Sequence, residues 1–313
     1  MLNKMSHWSR KSEAGTVLGM RILLLVHRLF GRAVFKVFLL PVIGYFYCSQ
    51  KNARQASSQY LARITPFLDE SAANKLSSFK HFLSFGDVLL DKLLVWMGEI
   101  SADDVVFETP KIVEQVDSGK QGGIIIVSHL GNTEICSALA HRLPNMKLTL
   151  LVYTQHAKKF NALMKKFSDS DSVELMQVTD ITPATAITLA ERIENGEFIV
   201  IAGDRTPVSA GTRTSNVSFL GADALLPQGA FILASLLKCQ VFLLFCLKQD
   251  KQYHIYFEQF SQRIKLPRKE RVAALDEVIQ LYAQRLQHYC LKAPLQWFNF
   301  YSFWRESNDH NQK

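Results

Sequence analysis

The sequence predicts an α/β fold in which a central, mixed and mostly parallel sheet is flanked by helices, preceded by N-terminal hydrophobic membrane-associating helices. Three observations carry that prediction. Short β-branched and apolar runs at residues 122–127, 147–153 and 198–202 read as strands buried on both faces, the pattern of parallel sheets. Helical periodicity fills the intervals between them, as in residues 135–142 and 183–195, so strands and helices alternate. With 313 residues, 48% hydrophobic content and 21 Phe, the chain can bury one large α/β core with an accessory element, which excludes a disordered or fibrous protein.

Residues 1–14 are polar and basic, with Trp8 as an interfacial anchor. They lack the uncharged core and small-residue cleavage site of a secretory signal, so the segment is expected to be retained. Residues 17–47 are strongly apolar but interrupted by Arg21, His27, Arg28, Arg32 and Lys36. On a helix Arg21, Arg28 and Arg32 project within about 40° of each other, a basic stripe on an apolar rod. That pattern suits a helix lying in the headgroup plane of an anionic membrane surface. The charge-free piece 37–47, with Pro41 inside it, is too short to cross a bilayer. A tilted or re-entrant hairpin, and a helix packed on the domain, stay open. Residues 1–50 are therefore read as a membrane-associating segment and 51–313 as the α/β domain.

Residues 51–100 read as helical, broken near Pro66. Ala53, Ala56, Tyr60, Ile64 and Phe67 mark one apolar face, and Phe79, Phe82, Leu83, Leu89, Leu93 and Trp96 continue it to Met97-Gly98. His81 reads as a surface or capping histidine. A helix around 112–117 precedes the first buried strand. After the strand at 147–153, residues 156–167 form a basic helix carrying Lys158, Lys159, Lys165 and Lys166, either a solvated face or a landing site for an acidic carrier or phosphorylated headgroup. Residues 173–178 are a short strand; 183–195 a helix with Pro183 in its first turn and Gly196 as its cap. Residues 208–216, rich in Ser, Thr and Gly, read as a mobile loop, and the chain through Pro227 leads into a helix at 230–238. Strands at 241–247 and 253–257, a helix at 276–290 and an aromatic tail at 297–304, which seals the core by default or else dips into the membrane interface, complete the chain.

Thirty-six Lys and Arg against 28 Asp and Glu give a formal charge of +8, which favours acidic partners. Nucleic acid, anionic lipid and an acidic carrier all fit the charge, but no zinc-finger, KH or RRM signature is present. Cys48, Cys136, Cys239, Cys246 and Cys290 are odd in number with no C-x-x-C pair, and read as buried free thiols in a reducing compartment. No histidine spacing completes a metal site. Phosphate-loop, dinucleotide and serine-elbow motifs are missing, so no cofactor is expected.

The chemistry concentrates in Ser128-His129-Leu130-Gly131-Asn132-Thr133-Glu134. His129 sits where the strand gives out, Leu130-Gly131 turns, and Asn132 or Thr133 caps a helix that carries Glu134 in its first turn. A five-residue separation on one continuous helix would rotate the two side chains roughly 140° apart, so a working pair needs this strand, turn and helix start. Imidazole can take a proton from a hydroxyl near neutral pH while a carboxylate on its other nitrogen fixes the tautomer. The plainer alternative is a helix-start acid favoured by the macrodipole beside a satisfied turn histidine. A second apolar strand ends in Gly203-Asp204-Arg205, and ligands collect at the carboxyl ends of parallel strands, so His129 and Asp204-Arg205 are expected on one rim. Arg205 can clamp a phosphate or pair with Asp204 or Glu134.

A His followed five positions later by an acid, directly after an apolar strand, resembles the His-x4-Asp/Glu signature of the glycerolipid and lysophospholipid acyltransferase superfamily. Ser-His-Leu-Gly-Asn-Thr-Glu is most similar to the bacterial lipid A late acyltransferases. The resemblance extends through Ile201-Ala202-Gly203-Asp204-Arg205, Val217-Ser218-Phe219-Leu220-Gly221, Leu226-Pro227-Gln228-Gly229-Ala230 and Pro294-Leu295-Gln296-Trp297-Phe298. It implies transfer of a fatty acyl chain from a thioester on acyl carrier protein, or acyl-CoA, to a hydroxyl of a lipid or glycolipid acceptor, at the cytoplasmic face of the bacterial inner membrane. It further implies His129 as general base and Glu134 as the acid that orients it, with Asp204, Arg205, Gly131 and Asn132 contacting substrate. Backbone N–H groups near Gly131, or Arg205, would supply the oxyanion donors. The family commonly has an Arg-containing segment after the second strand, whereas Tyr153-Thr154-Gln155-His156 has none. A lipid A precursor, another glycolipid, an amino-acid lipid and a polyene lipid remain open as acceptors. Two other functions stay in play: a hydrolase in which the same pair activates water, and a noncatalytic lipid-binding protein.

Overall fold

The computed structural model describes residues 17–96, 98–100, 102–117, 122–140, 146–152, 173–177, 183–205 and 213–304. Trp8, the lysines of the expected basic helix and the segment 153–156 lie outside them, as do the side chains of Arg21, Arg28 and Arg32.

Strands β1 (Val105–Phe107), β2 (Gly123–Val127), β3 (Leu148–Val152), β4 (Val173–Gln177) and β5 (Phe198–Ala202) join one sheet. A hairpin of β6 (Thr214–Phe219) and β7 (Ala222–Pro227) stands apart, and β8 (Gln240–Gln249) and β9 (Gln252–Ser261) return to the main sheet. Its order is β1-β9-β8-β2-β5-β3-β4. Only the β8–β9 pair is antiparallel, so the expected mostly parallel mixed sheet is what forms. β2 lies centrally, between β5 and β8, and its Ile124, Ile125 and Ile126 are buried on both faces, as an unbroken β-branched run requires.

Helices α1 (Val17–Ser49), α2 (Lys51–Ile64), α3 (Glu70–Ala73) and α4 (Ser78–Trp96) precede the sheet. A 3₁₀ turn at Thr65–Phe67 marks the break expected at Pro66. Helix α5 (Pro110–Asp117) leads to β2, α6 (Thr133–Ala140) follows it, and α7 (Pro183–Glu194) runs between β4 and β5. Gly196 beyond α7 has φ 86°, the left-handed backbone of a helix stop. Helices α8 (Gly229–Leu237) and α9 (Arg271–Lys292) complete the flanks.

Helix α1 is kinked at Gly31, where φ is 75°. Beyond the kink Phe35, Leu39 and Ile43 pack into a cluster with Phe82, Leu90, Leu94 and Val95 of α4. Gly86 permits this approach, because a Cβ there would stand 2.9 Å from Leu39 Cδ2. Val37, Phe38, Leu40, Val42 and Tyr45 of α1 remain exposed. No helix among the described residues is long and apolar enough to cross a membrane.

Three expectations need correction. The mobile loop placed at 208–216 overlaps β6, in which Ser215, Val217 and Phe219 are buried while Asn216 and Ser218 are exposed. That alternation is a half-buried strand whose solvent side is made of small polar residues, and Leu220-Gly221, with φ of 51° and 73°, turns it into β7. Of the cysteines Cys48 is exposed and Cys136 half-buried, so not all are buried thiols, though all five are free. His81 is fully buried rather than on the surface. Its Nε2–H donates to the Trp297 carbonyl at 3.0 Å, and its Nδ1 accepts from the Ser57 hydroxyl at 3.0 Å, so a polar ring is tolerated on a core-facing position.

Candidate active site

The site grows from the register of two neighbouring parallel strands. Val127 of β2 faces Ala202 of β5, and the Gly203 N–H donates to the Val127 carbonyl at 2.9 Å, carrying the ladder one step past the strand ends. Two residues beyond that pair the chains deliver His129 and Asp204 side by side. The Asp204 carboxylate accepts from His129 twice, from the backbone N–H at 2.8 Å and from Nδ1–H at 2.7 Å. The indole N–H of Trp297 donates to the same carboxylate at 3.0 Å.

Asp204 is completely buried while 33% of the His129 side chain is exposed. With Nδ1 donating to Asp204, Nε2 is left as the acceptor on the opposite edge of the ring. Burial and then the Arg205 guanidinium hold the His129 pKa below its usual value of 6.5, against the opposing pull of Asp204, with Lys92 adding to the depression. Burial pushes the Asp204 pKa upward, but His129, its two hydrogen bonds and Arg205 outweigh that and hold it below the usual carboxylate value. Near neutral pH this is a neutral imidazole backed by a carboxylate, the arrangement of a general base.

Glu134 lies in the first turn of α6, as expected, but it is not bonded to His129 among the described residues. Its Oε1 accepts from Lys92 Nζ of α4 at 2.5 Å, and its Oε2 is buried without a hydrogen-bond partner there. The acid that holds His129 is therefore Asp204. The reason is geometric: strand register places Asp204 beside the motif histidine, whereas the turn at Gly131 hands Glu134 to α4.

Gly131 is fixed by its surroundings. Its φ is 72°, and a Cβ would fall 1.9 Å from the Cys246 carbonyl of β8. Its N–H donates to the Gln296 carbonyl and that of Asn132 to the Cys246 carbonyl, both at 2.9 Å. Two of the backbone N–H groups near Gly131, where oxyanion donors were expected from the backbone or from Arg205, are thus already engaged. Asn132 itself is buried, and neither atom of its side-chain amide has a partner among the described residues. Asp204, expected to touch substrate, has both oxygens occupied inside the protein. Arg205 donates from Nη2 to the Phe298 carbonyl at 2.9 Å and stays close enough to influence His129.

The structure adds two contributors that the strand ends do not reveal. One is the segment from Gln296 to Tyr301. The Phe298 N–H donates to the His129 carbonyl at 2.9 Å, Trp297 bonds Asp204, and the Tyr301 hydroxyl reaches the Asp204 carbonyl at 3.4 Å. The other is Lys92, a lysine at the end of an apolar helix stripe. No group of three or more His, Cys, Asp or Glu among the described residues could hold a metal ion.

A family model described as bacterial lipid A biosynthesis acyltransferase matches residues 4–306 of the chain. No curated protein compared with the chain matches it.

Proposed function

Because the chain belongs to the bacterial lipid A biosynthesis acyltransferase family, and is thereby a lipid acyltransferase, we propose that it moves a fatty acyl chain from a thioester donor to a hydroxyl of a lipid A-like or other glycolipid acceptor at the membrane surface. The observation that carries the mechanism is the bond from His129 Nδ1 to buried Asp204, which leaves Nε2 as the unprotonated nitrogen of a ring that is one-third exposed. In this reading Nε2 takes the proton of the acceptor hydroxyl as its oxygen attacks the thioester carbonyl. The tetrahedral centre then collapses, breaking the C–S bond, and the imidazolium returns the proton to the departing thiolate. Asp204 fixes the tautomer and stabilises the imidazolium without itself being protonated.

Arg205 and the unpartnered amide of Asn132 are the groups proposed to meet the developing oxyanion or a phosphate of either substrate. The donor is proposed to be acyl carrier protein, whose acidic surface suits a chain of formal charge +8, with acyl-CoA as the other candidate. Docking at the cytoplasmic face of the inner membrane is proposed through the exposed apolar face of α1.

Incubating the protein with a labelled dodecanoyl thioester, with and without an underacylated lipid A precursor in mixed micelles, tests the reaction type. Label entering the lipid fraction only when the precursor is present is the expected result. Release of free fatty acid at the same rate in both samples would make the protein a hydrolase instead.

A further inference from the structure

One stripe of α4 side chains faces the motif and the C-terminal segment that clamps it. His81 Nε2–H bonds the Trp297 carbonyl at 3.0 Å, the Phe85 ring lies 5.3 Å from that of Phe298 and 5.4 Å from that of Phe300, and Lys92 pairs with Glu134. At about 100° per residue these three project within about 40° of one another, so contacts at three heights fix the direction of the stripe. The neighbouring face is fixed as well. Gly86, about 100° round the helix from Phe85, receives α1, where a Cβ would stand 2.9 Å from Leu39 and 3.0 Å from Ile43.

Leu89 falls inside this frame. It lies about 6 Å along the helix axis from Phe85 and about 4.5 Å from Lys92, and projects about 40° from Phe85 toward the α1 side. Phe298, packed on Phe85, donates its backbone N–H to the His129 carbonyl at 2.9 Å, and Glu134, paired with Lys92, is the last residue of the same motif. Leu89 is thus bracketed by contacts to the two ends of the motif. Its sequence neighbours Val88 and Leu90 are 3% and 1% exposed, yet Leu89 is 43% exposed. A leucine left open between those contacts and the α1 contact marks a gap bounded by α4, α1 and the motif that carries the partly exposed His129 ring.

We propose, on the strength of the acyltransferase reading with His129 as base, that this gap is the slot for the fatty acyl chain of the thioester donor, and that Leu89 is a specificity-determining residue that limits the length of that chain. The thioester carbonyl reacts at the His129 ring, so the hydrocarbon attached to it needs an apolar wall beginning beside the motif. Leu89 and Phe85 supply such a wall. Neither offers a hydrogen bond to a sugar or phosphate, so the headgroup of the acceptor has nothing to gain there.

The test is competition. Full-length, detergent-solubilised wild type, Leu89→Trp and Leu89→Ala are each given an equal mixture of decanoyl, dodecanoyl, tetradecanoyl and hexadecanoyl thioesters of acyl carrier protein with the lipid A precursor, and the acyl products are quantified by mass spectrometry. Product ratios report relative kcat/KM, so a general loss of activity cancels. Free fatty acid is scored alongside acylated lipid, so the ratio is read whether the chain passes to lipid or to water. Leu89→Trp, which shortens the slot, is expected to lower the hexadecanoyl-to-decanoyl ratio about tenfold, and Leu89→Ala to raise it severalfold. Both variants should melt close to wild type, since Leu89 lies outside the core clusters.

Ratios within about twofold of wild type in both variants overturn the inference. So does an equal loss for all four chains with weaker sedimentation on vesicles containing anionic lipid, which would make Leu89 a bilayer contact. His129→Ala separates the two claims. If it turns over like wild type, the base reading falls on its own. If it is inactive while the Leu89 variants keep the wild-type ratios, only the present inference falls.

Discussion

Both oxygens of the Asp204 carboxylate are committed to protein donors, two of them on His129, which supports the orienting role proposed for it. Asp204→Asn keeps the shape but puts an amide where only an acceptor can hold the Nδ1–H tautomer. Its turnover is expected to fall on the order of 10²- to 10⁴-fold, with a melting temperature close to that of wild type; an activity loss under threefold would contradict the assignment. Because the His129 pKa is held below its usual value, wild-type kcat/KM should stay flat through neutral pH and decline only as pH falls below the ordinary imidazole range. Gly131→Ala fails for a different reason, since its Cβ would overlap the Cys246 carbonyl in a left-handed backbone. The backbone conformation alone costs roughly 1–3 kcal/mol, so chemical denaturation should show a large loss of stability. At this scale the sequence made His129 and its rim legible, because strand ends are marked by where apolar runs stop. It pointed to Glu134 as the acid beside His129, whereas the acid bonded to the ring is Asp204. Glu134 is near in sequence, while Asp204 is near through register, and register is a property of two strands 75 residues apart in the chain.

At the scale of elements, the chain from Gln296 to Tyr301 behaves as a clamp across the ends of β2 and β5. An aromatic tail sealing the core was readable from composition; its hydrogen bonds to the motif were not, because they depend on backbone groups that every residue carries. Trp297→Phe retains the ring contacts with Tyr60 and Phe219 but loses the donor to Asp204. It should lower kcat more than it raises KM. Beneath the clamp, burial lowers the His81 pKa from 6.5 to about 4, only partly offset by its bond to the Trp297 carbonyl. A histidine with a depressed folded pKa binds its proton more readily in the unfolded chain. Stability is therefore fully present above about pH 7 and is lost as pH falls toward 4, by up to roughly 3 kcal/mol. His81→Gln should flatten that part of the pH–stability curve; an unchanged acid limb would remove His81 as its source.

For the whole molecule, the alternating strands and helices fixed the α/β class, and β5 falls on the residues read as a strand at 198–202. The β6–β7 hairpin escaped because Thr214, Ser215, Asn216 and Ser218 look like loop residues until their alternation with Val217 and Phe219 is weighed. Helix α1 is the element through which membrane docking is proposed. One face is anchored on α4, while Phe38 and Leu40, 51% and 45% exposed, lie on a face the fold leaves uncovered. Phe38→Glu with Leu40→Glu should weaken sedimentation with vesicles containing anionic lipid while leaving the melting temperature nearly unchanged, since neither side chain is in the core.

The most direct test is steady-state acyl transfer by full-length His129→Ala protein whose circular dichroism and melting temperature match wild type. If the imidazole held by Asp204 removes the acceptor proton, turnover falls by at least about a hundredfold at every pH. Turnover equal to wild type would contradict the account.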